Sequence, residues 1–170
     1  MARAGPAGAS SLALARLRSS SAPARQISGC RLPRICVALL VRGVSPGIVE
    51  SFIRYHLAIG FQRVTLFFDA PDEPGEMEVA EAAVSCAAFA RRAGLGEVVV
   101  NLCTADWWKA ELPQSRFVQR RGSAQDRIYN DLMELYEDIH DVQARQCLAM
   151  EHALRKAVQD GFDWLLHIDS

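Results

Sequence analysis

The apolar positions of this chain fall into short unbroken runs, separated by longer stretches in which they recur every three or four residues. Ile35–Val41 reads ICVALLV with no polar alternation, the pattern of a central strand buried on both faces. Val64–Phe68, Glu97–Leu102 and Trp164–Ile168, mostly apolar and as short, read as three further strands. Between the first two, Ser45 stands as a helix cap with Pro46 at the first helical position, and Gly60 supplies a left-handed stop. Inside that helix Ile48, Phe52, Tyr55 and Ile59, flanked by Val49, Ile53 and Leu57, predict a wide apolar stripe laid on a sheet. An acidic turn, Asp69–Gly75, precedes an Ala-rich helix over 76–93, with Met77, Ala80, Val84, Ala87 and Ala88 on its expected core face and Gly94 as its stop. Connections of this length suit parallel pairing through right-handed crossovers.

Residues 103–122 carry no period and are expected to be irregular. The adjacent Trp107 and Trp108 there suit either a stacking platform or packing onto the sheet, and packing is the commoner use of such area. A long helical region follows over 123–160, with a break expected near His140 and a stripe of Ile128, Leu132, Leu135, Ile139, Val142, Met150 and Leu154. Gln146 interrupts that stripe. A polar amide on a buried face needs a partner, which ligand, water, a backbone carbonyl or the end of the last strand can supply.

The fold class implied is α/β: a Rossmann-like, mostly parallel sheet over residues 34–170, preceded by a disordered tail over 1–33. The tail is Ala, Ser, Arg, Gly and Pro with few large apolar residues, too little to offset its ordering entropy. It is Arg- and Ser-rich and free of acids, compatible with an organellar transit peptide and equally with a low-complexity tail.

Charge is distributed unevenly. Residues 1–49 hold seven Arg and no acid, which leaves 12 basic and 20 acidic side chains in residues 50–170. An acidic body argues against a nucleic-acid partner. The five cysteines have no CxxC spacing and the four histidines no paired spacing, which argues against structural zinc and a disulfide framework. No apolar run approaches the ~18 residues of a membrane span.

If the four strands share one parallel sheet, their C-terminal ends gather Arg42–Gly43, Asp69, the loop after Leu102, and Asp169. One cation, two carboxylates and polar loops can hold a nucleotide: a carboxylate for its hydroxyls or base edge, Arg42 near phosphate, and a divalent cation at Asp169 bridging a diphosphate. A lone acid there is also an ordinary turn residue. The chain has no GxGxxG after its first strand, no GxxxxGK[ST] loop and no GxSxG elbow, which disfavours hydride transfer, P-loop kinases and that class of hydrolase.

Val37-Ala-Leu-Leu-Val-Arg42 followed by Ile48-Val-Glu-Ser-Phe-Ile-Arg-Tyr55-His56-Leu-Ala-Ile-Gly60-Phe resembles the opening of the family 92-like (DUF23) glycosyltransferases, of the GT-A, glycosyltransferase-2-like superfamily. Val142-Gln-Ala-Arg-Gln146 and Asp163-Trp-Leu-Leu-His-Ile-Asp169-Ser170 are similar to the approach to their DxD motif. The resemblance spans residues 34–170 and implies the donor-binding half of an enzyme that transfers a sugar from a nucleotide-sugar donor, with Mn²⁺ or Mg²⁺. It implies Arg42, Asp69 and Gln146 at the donor and Asp169 as the first metal-binding acid. The second acid, the acceptor half and the catalytic base are expected beyond residue 170, so the chain is expected to be a fragment and inactive alone. The acceptor is undefined, and such enzymes are often found in the secretory pathway. Gly43 departs from the Arg-Asn usual in the family after the first strand. Two other readings stay open: a non-catalytic α/β interaction module, and another nucleotide-binding enzyme such as a nucleotidyltransferase.

Overall fold

A computed structural model describes residues 31–122 and 127–169. The expected disordered tail and the expected helix start at Ser123 lie outside the described residues, apart from the last few positions of the tail. The elements run β1 (Ile35–Val41), α1 (Pro46–Ala58), β2 (Arg63–Phe68), α2 (Glu76–Ala93), β3 (Glu97–Leu102), α3 (Ala105–Glu111), α4 (Arg116–Gln119), α5 (Arg127–Ile139), α6 (Val142–Gln159) and β4 (Trp164–Ile168). The strands form one sheet in the order β3-β2-β1-β4, every neighbouring pair parallel. This is the Rossmann-like α/β arrangement that the alternating runs predict.

The two central strands are apolar because they are covered on both sides. Val37, Leu39, Val41, Val64, Leu66 and Phe68 pack beneath α1 and α2, while Ala38, Leu40 and Phe67 pack beneath α3, α5 and α6. Phe67 and Phe68 are wholly buried, each stabilising the fold by about 2–3 kcal/mol relative to exposure. The α2–β3 turn presses against α1 closely enough that a Cβ on Gly96 (φ +142°) would lie 2.8 Å from Leu57 Cδ2.

Several expectations need correction. The core face of α1 is Val49, Ile53, His56 and Leu57, while Ile48, Tyr55 and Ile59 are exposed. In α2 the buried apolar set is Val79, Ala80, Ala83, Cys86 and Ala90, and Met77 and Val84 face outward. In α6 it is Ala144, Leu148, Ala149, His152, Ala153 and Ala157, and Val142 and Leu154 are exposed. The cause is common to α2 and α6. A helix lying close on a sheet admits small side chains, so the largest apolar residues were a misleading guide to the inner face. The strand β4 is not buried on both faces either: it is an edge strand among the described residues, with Trp164 67% and Leu166 45% exposed.

Residues 103–122 are more ordered than their lack of period suggests. The Thr104 hydroxyl caps α3 by accepting from Trp107 N (3.2 Å), and the Ser115 hydroxyl caps α4 by accepting from Phe117 N (3.2 Å). Trp107 meets Phe67 edge-on at 5.9 Å and Trp108 is buried, so both tryptophans pack on the sheet. The break near His140 is present. His140 has φ +48° between α5 and α6, and the Asp141 carboxylate then caps α6 by accepting from Ala144 N at 2.9 Å. Among the described residues no helix is long and apolar enough to cross a membrane.

Candidate functional site

The crossovers after β1 and β2 cover one face of the sheet, and the chain then crosses to the other face before β4 pairs with β1. In open parallel sheets the crevice at the strands' C-terminal ends beside such a reversal is where ligands bind. The ladder continues one residue past β2 and β3: Asp69 N donates to Val41 O and Cys103 N to Phe68 O. Arg42, Asp69 and Cys103 therefore stand level. The β1–β4 register ends at Leu39–Ile168, which sets Asp169 level with Leu40, two positions short of Arg42.

Asp69 is the hub of this edge. Its side chain is fully buried, and Arg145 from the first turn of α6 grips both oxygens, Nε to Oδ1 at 2.6 Å and Nη2 to Oδ2 at 2.8 Å. Arg42 Nη1 adds a longer contact to Oδ2 at 3.4 Å while its Nη2 donates to Glu73 Oε1 at 2.5 Å. The third donor of Arg145, Nη1, bonds the His140 carbonyl and ties the α5–α6 corner to the same carboxylate. Behind Arg42, the backbone N–H of Gly43 donates to Glu76 Oε1 at 2.7 Å, with Glu76 itself buried at the first position of α2.

Above Asp69 lies a cleft of about 520 Å³ whose walls carry the cations Arg42, Lys109 and Arg145, the acids Asp69 and Glu73, and the faces of Trp108, Leu112 and Tyr136. Three cations against two carboxylates give a local excess of positive charge on an otherwise acidic body. Burial pushes the Tyr136 phenol above its ordinary pKa, with Arg145 opposing, so it remains a neutral hydroxyl. Burial, reinforced by the Asp69 carboxylate, likewise pushes the Cys103 thiol well up and leaves it unreactive.

Gln146, the neighbour of Arg145, faces the other acid. Its Nε2 donates to Asp169 Oδ1 at 2.5 Å and lies 3.1 Å from His167 Nε2. Of the partners open to this amide, the strand end supplies one, although Gln146 is half-exposed and not buried on a stripe. Two consecutive residues of α6 thus bind the two carboxylates that the sequence singled out. The sequence reading missed Arg145, Lys109, Glu76 and Tyr136. Arg145 alone left a signal, a cation beside the amide in the turn that follows a helix break.

Asp169 and His167 lie on the same side of β4, with Gln146 across from them. Among the described residues no group of three or more His, Cys, Asp or Glu side chains is placed to hold a metal ion. One exposed carboxylate fits a hard cation that brings most of its oxygen ligands as water and substrate phosphate. It does not fit a resident metal held by protein alone.

No family model, no curated protein and no solved structure matches the chain.

Proposed function

We propose that this cleft binds the nucleotide part of a nucleotide-sugar donor and that the chain is the donor-binding portion of a glycosyltransferase. The observation that carries the reading is the pair of guanidiniums at the C-terminal edge of a parallel sheet, Arg145 clamped on buried Asp69 and Arg42 bridging Asp69 and Glu73. Asp69 and Glu73 hold Arg42 in a partly dry cleft, where a diphosphate gains more from it than at an open surface, while Arg145 keeps the Asp69 carboxylate paired until a ligand arrives. Lys109 adds a third cation, and Trp108 and Tyr136 offer apolar faces and a hydroxyl donor to a base or ribose.

In this reading Asp69 contacts the nucleoside only once Arg145 turns toward the ligand, since both its oxygens are now paired. In the same reading Asp169, oriented by Gln146, is the acid that meets a Mn²⁺ or Mg²⁺ ion arriving with the diphosphate. Such an ion would offset charge on the departing nucleoside diphosphate. What these residues supply is grip and orientation of the donor.

Calorimetric titration of the chain with UDP- and GDP-sugars, with and without Mn²⁺, tests the reading. Binding of one of them that weakens at least about tenfold in Arg42→Ala supports it. Binding only of a nucleoside triphosphate replaces it with a nucleotidyltransferase reading. No binding of any nucleotide favours the non-catalytic module.

A further inference from the structure

The helix α5 carries a surface that the cleft does not use. Ile128, Leu132, Leu135 and Ile139 are spaced four, three and four residues apart, the seam of a helix that packs against another helix. Met133 and Tyr136 on the adjoining face make the contacts to the domain, with Met133 2% exposed. The seam itself is left in solvent: Ile128 is 69%, Leu135 47% and Ile139 67% exposed, and only Leu132 is partly covered. Single exposed apolar residues are ordinary on proteins, but an aligned row along one helix is not.

The flank of the seam decides what can cover it. Asp131, Glu134 and Asp138 project along the edge facing away from the domain, all exposed. Arg127 lies 3.6 Å from Asp131, and Arg121, bonded to Glu137, lies near Glu134 and Asp138, so among the described residues these four acids outnumber the two arginines beside them. In paired helices the residues beside the seam select the partner by charge. A second copy packing antiparallel would set this acidic rim against its own, and an anionic lipid surface would be repelled by it.

We propose that the α5 seam is a docking site for a basic amphipathic helix of a partner protein, whose apolar row covers Ile128, Leu135 and Ile139 and whose Lys or Arg residues face Asp131, Glu134 and Asp138. The cleft and its ligand play no part in this contact.

The test uses the whole chain and two fluorescent peptides of three heptads, each with Leu at the seam positions. One carries Lys on both flanks and the other Glu, so that self-repulsion keeps each peptide from zipping with itself. The Lys peptide is expected to bind at least about tenfold tighter than the Glu peptide, with an affinity that falls as salt rises. The Ile128→Ser/Ile139→Ser variant is expected to lose at least about tenfold with its circular dichroism unchanged, and Asp138→Lys to narrow the preference. Equal affinity for both peptides, or no binding of the Lys peptide, overturns the proposal. So does concentration-dependent dimerisation, or binding to phosphatidylserine vesicles, that the Ser variant abolishes, since either assigns the seam to another occupant.

Discussion

Arg145 grips Asp69 with two prongs of its guanidinium, at 2.6 and 2.8 Å, across 76 positions of chain. The carboxylate is sealed from solvent and the arginine nearly so, at 13% side-chain exposure. A buried pair of this kind costs a great deal when one partner is removed, because the other charge stays behind in a dry site. Here the ion pair also fastens α6 to the end of β2 and, through the His140 carbonyl, fixes the α5–α6 corner.

The Arg145→Ala substitution is therefore expected to destabilise the chain by about 3 kcal/mol, read as a lower urea midpoint. The Arg42 contact at 3.4 Å is too long to replace what is lost. Lys at 145 should recover less than half of it, since an ammonium cannot occupy both carboxylate oxygens in the same plane. Asp69→Asn combined with Arg145→Ala should cost less than the two single changes added together, because the double variant leaves no unpaired buried charge. Strict additivity would show that the pair is not coupled.

How far the sequence foretold this site follows from the kind of signal each part gives. The strands were legible because unbroken apolar runs such as Ile35–Val41 have few other uses, and the parallel order followed from connection length. That Asp69 and Asp169 end strands could be read directly. Their partners could not, because Arg145 and Gln146 are ordinary polar residues until folding brings α6 to the sheet edge. The inner helix faces were misread for a different reason. Ala144, Ala149, Ala153 and Ala157 let α6 lie close on the sheet, yet a hydrophobicity pattern ranks them below the larger residues that end up outside.

His152 gives the fold a pH dependence of known sign. Its imidazole is buried against Phe67 and Trp107, and desolvation lowers its pKa, outweighing Glu111, whose carboxylate lies 3.1 Å away. Above the unfolded value of about 6.5 the ring is neutral in both states, and its contribution to stability is intact. As pH falls below that value the unfolded chain takes up a proton that the folded chain resists, so stability is lost toward the folded pKa. The urea midpoint should fall between pH 7.5 and 5.5, with this residue contributing at most about 1.4 kcal/mol per pH unit. His152→Gln should flatten that part of the profile, and an equal slope in the variant would remove His152 as its source.

The cysteines should separate by burial. Cys36, Cys86 and Cys103 are buried and Cys147 is exposed among the described residues. Of these four, a maleimide should label Cys147 first under native conditions, followed by peptide mapping. Cys103 should react only on unfolding, since burial and Asp69 both hold its thiol protonated. Comparable native labelling of Cys103 would mean that the cleft floor opens far more than the ion pair on Asp69 allows.

A substitution at Asp169 tests the proposed metal role apart from folding. Its side chain is exposed and its hydrogen bond to Gln146 lies at the rim, so Asp169→Asn should change stability by less than about 1 kcal/mol. On the donor-binding reading the same change should abolish any extra thermal stabilisation that Mn²⁺ confers with a nucleotide sugar, while leaving metal-free nucleotide binding in place. A metal-dependent shift that survives the substitution would assign the ion to other ligands.

Gly43 offers the sharpest test of the proposed donor binding against geometry. It follows Arg42 with φ +67°, its N–H is held by Glu76, and a Cβ built on it meets no atom within 4 Å. That backbone excludes most side chains but admits Asn, which tolerates the left-handed region at modest cost. On the proposed glycosyltransferase reading, Asn is also the residue expected at this place. Gly43→Asn should therefore fold with a loss below about 1 kcal/mol, whereas Gly43→Val should lose more, through strain at an incompatible φ. If the cleft takes a nucleotide-sugar donor, the added amide stands beside Arg42 at the β1 exit and should tighten donor binding several-fold by calorimetry. An Asn variant that folds well but binds no tighter would separate the two ideas: the backbone account would stand, and the placement of the donor against β1 would not.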